Sequence, residues 1–148
     1  MRCDVLKRNF VTIAGNTASA DTIVFAHGFG TDQSAWNQIT PSFEEKYRLV
    51  LFDHAGAGNA DLNAYSPAQY SSLEAYALDL IEICNTLRLS NATFVGHSVG
   101  AIIGLLASQS APGLFSRLVL IGASSRYLND SGYVGLSLIH ISEPTRPY

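Results

Sequence analysis

Gly96-His97-Ser98-Val99-Gly100 is the stretch on which the fold turns. Ala92-Thr93-Phe94-Val95 leads into it, and Val99 to Ser108 continues apolar nearly all round. The reading is a strand over Ala92 to Gly96, a turn at Ser98 and a buried helix beyond it. Glycines on both sides suit a sharp strand-to-helix turn, because a Cβ there would strike the elements being joined. Such a turn lifts a hydroxyl above the carboxyl edge of a sheet. The helix behind it aims amides and partial positive charge at any anion forming beside the serine. Serine in this place also serves simply as a helix N-cap; the strand before it and the apolar helix after it favour the exposed nucleophile.

Outward from this point, strand-like and helix-like segments alternate, which is the pattern of an α/β fold with helices on both faces of a mostly parallel sheet. Asn9 to Ile13 reads as a short strand running to Gly15-Asn16, Thr22 to Ala26 as a buried strand, and Tyr47 to Phe52 as another, with a helix from about Ser34 between the last two. Leu73, Tyr76, Ala77, Leu80, Cys84 and Leu87 recur at helical spacing with Glu74, Asp79 and Glu82 between them. Ser72 to Leu87 is therefore expected to be an amphipathic helix with its apolar stripe on the sheet. After Pro112-Gly113, Arg117 to Ile121 supplies one more strand, expected to stand at the sheet edge.

The 148 residues are about one domain, 47% of them hydrophobic and 14% charged, against roughly 25% charged in an average globular chain. So little charge suggests surface meant to be covered by something further. A net charge of −3 offers no basic surplus for a phosphate backbone, so nucleic acid is not an expected partner. No apolar run approaches the eighteen or so residues that span a bilayer, and no membrane association is expected. The N-terminus lacks a signal-peptide core, and a cytoplasmic location is the default. Cys3 and Cys84 are read as free thiols, the latter on the apolar side of its helix, and no metal-ligand cluster is apparent. Gly56-Ala57-Gly58-Asn59-Ala60-Asp61 follows a strand but lacks the third glycine and an immediate helix, so no nucleotide or other cofactor is expected.

The chemistry expected around Ser98 needs an oxyanion hole and a base. His27-Gly28-Phe29-Gly30 follows the second strand, where the amide of Phe29 could pair with that of Val99 as donors to a developing oxyanion. The same stretch also reads as an ordinary glycine-rich loop. Histidine is scarce. His97 lies inside the turn and His27 is expected to brace the loop. His54 follows a strand end and could approach the cleft, yet it precedes the serine, whereas this turn is usually followed by the acid and then the histidine. Asp130 and His140 have that order but stand only one strand beyond the serine.

From Lys7 to Gly135 the chain resembles the N-terminal half of the α/β-hydrolase superfamily, and within it the RsbQ-like subgroup of bacterial stress-response regulators and plant strigolactone and karrikin receptors. The resemblance rests on His27-Gly28-Phe29-Gly30-Thr31-Asp32-Gln33-Ser34 with Trp36, on Phe52-Asp53 through Gly58 to Asp61, on Val95 through Gly100, and on Arg126-Tyr127-Leu128-Asn129-Asp130. Ala60 departs from the serine usual there. The resemblance implies a serine hydrolase for a small ester or lactone. Ser98 would be its nucleophile, Phe29 and Val99 its oxyanion donors, and His27, Gly28, Gly30, Gly96, His97 and Gly100 the supporting motif. A signalling role through a protein partner, with hydrolysis incidental, is the alternative. Members of the family are about twice as long, so a truncated sheet is expected here, without the lid, the later strands or the catalytic acid and base. Residues 1–135 are read as the hydrolase part, and 136–148, beginning Leu136-Ser137-Leu138-Ile139-His140, as a non-native tail resembling translated sequencing adapter. That reading removes His140 as a base.

Overall fold

The computed structural model describes residues 4–124. Cys3, the Arg126–Asp130 loop, His140 and the segment 136–148 lie outside the described residues. Five strands form one sheet: β1 (Thr12–Gly15), β2 (Thr22–Ala26), β3 (Arg48–Phe52), β4 (Ala92–His97) and β5 (Phe115–Ile121). Their order is β1-β3-β2-β4-β5, with β1 antiparallel to β3 and the other neighbouring pairs parallel. Parallel neighbours require crossovers. Helix α2 (Leu73–Thr86) carries the chain from β3 to β4, and α3 (Val99–Ser110) from β4 to β5.

β2 and β3 read as unbroken apolar runs because both of their faces are covered. Val24, Ala26, Val50, Phe52 and Phe94 belong to the core under α2 and α3, while Ile23, Phe25, Leu49 and Leu51 pack on the opposite face with Trp36. Small residues let α3 lie close to the sheet: the Phe94 ring fills the space a Cβ on Gly104 would take. β5 forms one of the sheet's two edges among the described strands, β1 the other, and Val119 and Ile121 are 46% and 43% exposed on β5.

Three sequence expectations are corrected. The helix expected from Ser34 is instead two 3-10 turns, Gln33–Trp36 and Thr40–Ser42. Continuing a helix through this stretch would bury Pro41 in its interior, at a cost of about 3 kcal/mol. The first strand starts at Thr12, not Asn9. Val5–Arg8 forms one turn, α1, capped by the Asp4 side chain accepting from the Leu6 N–H, and Asn9 closes it, its side chain buried and donating to the Asp53 carbonyl at 3.1 Å. Asp79, expected among the polar residues of α2, is buried, while Leu78 beside it is 63% exposed. The Asp79 carboxylate receives Arg8 at 2.7 Å, the Tyr70 hydroxyl at 2.9 Å and the Asn9 amide at 3.4 Å. Hydrophobic period places a face but cannot see a carboxylate that finds three donors inside.

Candidate active site

β2, β3 and β4 end at one edge of the sheet, with Ala26 paired to both Phe52 and Gly96. The chain leaves β2 for β3 and returns on the other side of β2 as β4, so strand order reverses there. Open α/β sheets bind ligands in the crevice at such a reversal, beyond the strands' carboxyl ends. The stretches that flank it are His27 to Gly30 and the turn at Ser98.

Ser98 sits at φ 54° and ψ −122°, a left-handed backbone that costs a non-glycine residue roughly 1–3 kcal/mol. The surroundings hold it there. Its amide donates to the Ile121 carbonyl at 2.8 Å, and its carbonyl accepts from the Ala101 N–H at 3.0 Å. A Cβ on Gly96 would stand 2.7 Å from the Ala101 Cα, and one on Gly100 would strike the His27 carbonyl oxygen and lie 2.6 Å from that of Ala26. The two glycines therefore let the first turn of α3 rest directly on the ends of β2 and β4. The Ser98 side chain forms no capping bond to α3, so the hydroxyl is not occupied in satisfying the helix. It is half-buried, at the positive end of a twelve-residue helix.

The Phe29 side chain is 61% exposed, and the amides of Phe29 and Val99 meet no backbone acceptor among the described residues. His27 is buried. Its Nδ1 lies 2.8 Å from the Gly28 carbonyl oxygen, and its Nε2 accepts from the His54 backbone N–H at 3.0 Å. The His97 ring lies over Gly28, where an added Cβ would approach its Nδ1 to 2.7 Å. An apolar groove of about 290 Å³ opens beside these residues, lined by Gly28, Trp36, Ile39, His97 and Ile121 among others. It lies on the Trp36 side of the sheet, and Ser98 is not among the residues lining it.

His54, which the sequence allowed to approach the cleft, is instead buried against Phe52 and Tyr76. Its Nε2 donates to the His27 carbonyl at 2.9 Å. Burial, with His27 beside it, pushes its pKa down to about 3. Burial likewise holds His27 below the usual imidazole value, against the pull of its bond to Gly28 and of Asp53 and Asp32. Asp53 is a residue whose work the sequence reading missed: its carboxylate accepts from the Gln33 amide and the Asn59 amide, both at 2.8 Å, tying the loop after β2 to the loop after β3. An acceptor-only side chain at a strand end, just before Gly56 and Gly58, was the available signal. A Cβ on Gly58 would strike that carboxylate. Among the described residues no group of three or more His, Cys, Asp or Glu could hold a metal ion. Cys84 is buried, its thiol pushed up to about 12 by burial. No helix among the described residues is long and apolar enough to cross a membrane.

A family model described as alpha/beta hydrolase fold matches residues 21–135. The chain is 53% identical over 113 residues to a probable esterase of Oryza sativa subsp. japonica, a match covering 76% of this chain and 42% of that protein. It is 46% identical over 114 residues to the karrikin insensitive 2 receptor CA of Petunia hybrida, covering 77% of this chain and 42% of that one. The solved structure of olei00960, a hydrolase from Oleispira antarctica, superposes with a TM-score of 0.83 at 40% identity, over 89% of this chain and 48% of that chain. The chain thus spans less than half the length of these relatives.

Proposed function

The chain belongs to the alpha/beta hydrolase fold family, and on that premise we propose that it carries the nucleophile and oxyanion hole of a serine hydrolase acting on a small ester or lactone. The observation that carries this reading is Ser98 itself, held at φ 54° with its hydroxyl unused at the head of α3. Strain of that kind persists only where the surroundings enforce it. In the proposed reaction the Ser98 Oγ attacks the carbonyl carbon and its proton passes to a general base. The amides of Phe29 and Val99 receive the oxyanion, a contribution of a few kcal/mol in the transition state. Collapse expels the alcohol, or opens the lactone ring, and leaves an acyl-serine that water cleaves.

His27 and His54 have their ring N–H groups committed to backbone carbonyls, which supports placing the catalytic acid and base in the rest of a longer protein. In the same reading residues 1–135 are the hydrolase part and 136–148 a non-native tail; the family match ends at residue 135. A cytoplasmic location is part of the proposal, consistent with Cys84 as a free thiol. One observation favours a second reading, signalling through a protein partner with hydrolysis incidental: a relative at 46% identity is named a receptor.

The test is turnover of an activated aryl ester. The chain alone is expected to show none above its Ser98→Ala variant, because a serine without a base is a weak nucleophile near pH 7. A hybrid joining residues 1–135 to the second half of the Oryza sativa esterase is expected to hydrolyse the ester and to lose that activity with Ser98→Ala. A folded hybrid whose turnover survives Ser98→Ala, or never appears, overturns the proposal.

A further inference from the structure

The two buried histidines do something that the Ser98 turn by itself does not require. We propose that His54 and His27 are positioning residues that together fix the direction of the Phe29 amide, with the His54 imidazole as the clamp. This rests on the reading of Phe29 as an oxyanion donor.

One peptide unit links the two histidines to the Phe29 amide. The described chain has no cis peptide bonds, so the Gly28 carbonyl and the Phe29 N–H belong to one planar trans unit and point in opposite directions. Whatever grips the oxygen aims the hydrogen. The grip on the Gly28 oxygen is the His27 Nδ1 at 2.8 Å. A carbonyl only accepts, so Nδ1 must carry the ring hydrogen. Nε2, 3.0 Å from the His54 backbone nitrogen, faces a group that only donates, so it must be bare. Its two partners therefore allow His27 one neutral tautomer.

His54 returns the bond. Its Nε2 lies 2.9 Å from the His27 carbonyl oxygen and must carry the hydrogen, while its Nδ1 is buried with no hydrogen-bond partner. The ends of β2 and β3 are thus joined by a reciprocal pair of bonds through two rings whose centroids are 4.3 Å apart. The His27 carbonyl that His54 holds is also the atom a Cβ on Gly100 would strike. That carbonyl abuts the first turn of α3, so one clamp fixes both proposed amide donors relative to Ser98.

The test uses the full chain labelled with ¹⁵N. Long-range ring correlations at pH 7 are expected to show His27 protonated only at Nδ1 and His54 only at Nε2; a His27 hydrogen on Nε2 overturns the proposal without any variant. The direction of the Phe29 N–H is then read from its residual dipolar coupling. His54→Phe keeps the ring volume and loses the donor, and should move the Phe29 coupling while those of β2 and β4 stay put. His54→Gln, whose amide can donate from near the place of the imidazole Nε2, should restore it. Equal couplings in all three proteins, or equal shifts in both variants, would make His54 a packing residue only. Should His54→Phe fail to fold, His54→Leu, which also lacks the donor, takes its place in the same comparison, and the ring tautomers still decide on their own. Absence of Ser98-dependent turnover in the hybrid would overturn the proposed function while leaving these couplings as expected, so the two failures are distinguishable.

Discussion

Replacing Gly100 by alanine sets two effects of known size against each other. Gly100 lies in the first turn of α3, and alanine is favoured over glycine in a helix by about 1 kcal/mol. Against this, the new Cβ would strike the His27 carbonyl and lie 2.6 Å from the Ala26 carbonyl oxygen. Both obstacles are backbone at the end of a central strand and cannot swing aside like a side-chain tip. Reaching ordinary contact near 3.4 Å would move the head of α3 off β2 by at least about 0.8 Å. Overpacking of this kind costs roughly 1–3 kcal/mol, so the net loss should be about 0–2 kcal/mol once the helix preference is subtracted, and toward the upper end because both obstacles are backbone. Urea unfolding should therefore show a lower midpoint for Gly100→Ala at unchanged slope. In the hybrid, turnover should fall about 100-fold, since a displacement near 1 Å separates the Ser98 turn from the proposed oxyanion donors. A Gly100→Ala protein more stable than the parent, with turnover in the hybrid unchanged, would refute the close approach of α3 to β2.

Three other changes probe different parts of the molecule. Asp79→Asn removes the charge that Arg8 meets at 2.7 Å and one of the two oxygens that Arg8, Tyr70 and Asn9 bond to; leaving the Arg8 guanidinium with only the more exposed Glu82 carboxylate, at 3.0 Å, should cost roughly 2 kcal/mol in denaturant unfolding, and a loss below about 0.5 kcal/mol would place the network among indifferent surface pairs. His54 refuses a proton until about pH 3 when folded but accepts one near 6.5 when unfolded, so it lowers stability as pH falls through that window, by about 2 kcal/mol at pH 5. Asp79 works in the opposite direction, its pKa raised by burial against Arg8, Tyr70 and Asn9, and His54→Phe retains it; the difference in pH dependence between the two proteins should therefore show the His54 contribution, and parallel pH profiles would contradict it. Val119, 46% exposed on the edge strand β5, should promote edge-to-edge association, so Val119→Lys should reduce the concentration-dependent mass seen by sedimentation; no change on substitution would clear β5 of that role.

What the sequence made legible was whatever depends on period and on backbone clearance. The buried runs at Thr22 to Ala26 and Tyr47 to Phe52, the stripe through Leu80 and Cys84, and Gly96 and Gly100 around Ser98 all declare themselves because burial and close approach dictate residue type directly. The misreadings share a different cause. Asn9 extends an apolar-polar alternation on paper, yet its amide is buried where two loops and α2 meet. Asp79 looks like a solvent-facing acid until Arg8, 71 residues away in sequence, is placed beside it. Polar groups inside a fold are decided by partners distant in the chain, and one sequence without those distances cannot pair them. The same holds for His54, whose proximity to a strand end suggested the cleft, whereas it is buried with its ring bonded to the His27 carbonyl.

If Ser98 is the nucleophile, a reagent that bonds covalently to activated serines must find it. The hybrid of residues 1–135 with the second half of the Oryza sativa esterase would be treated with a fluorophosphonate and digested, and the modified residue located by mass spectrometry. A single phosphonylated serine is expected, at Ser98, and none in Ser98→Ala. A folded hybrid that remains unlabelled at Ser98, or that takes the label on another residue, would contradict it.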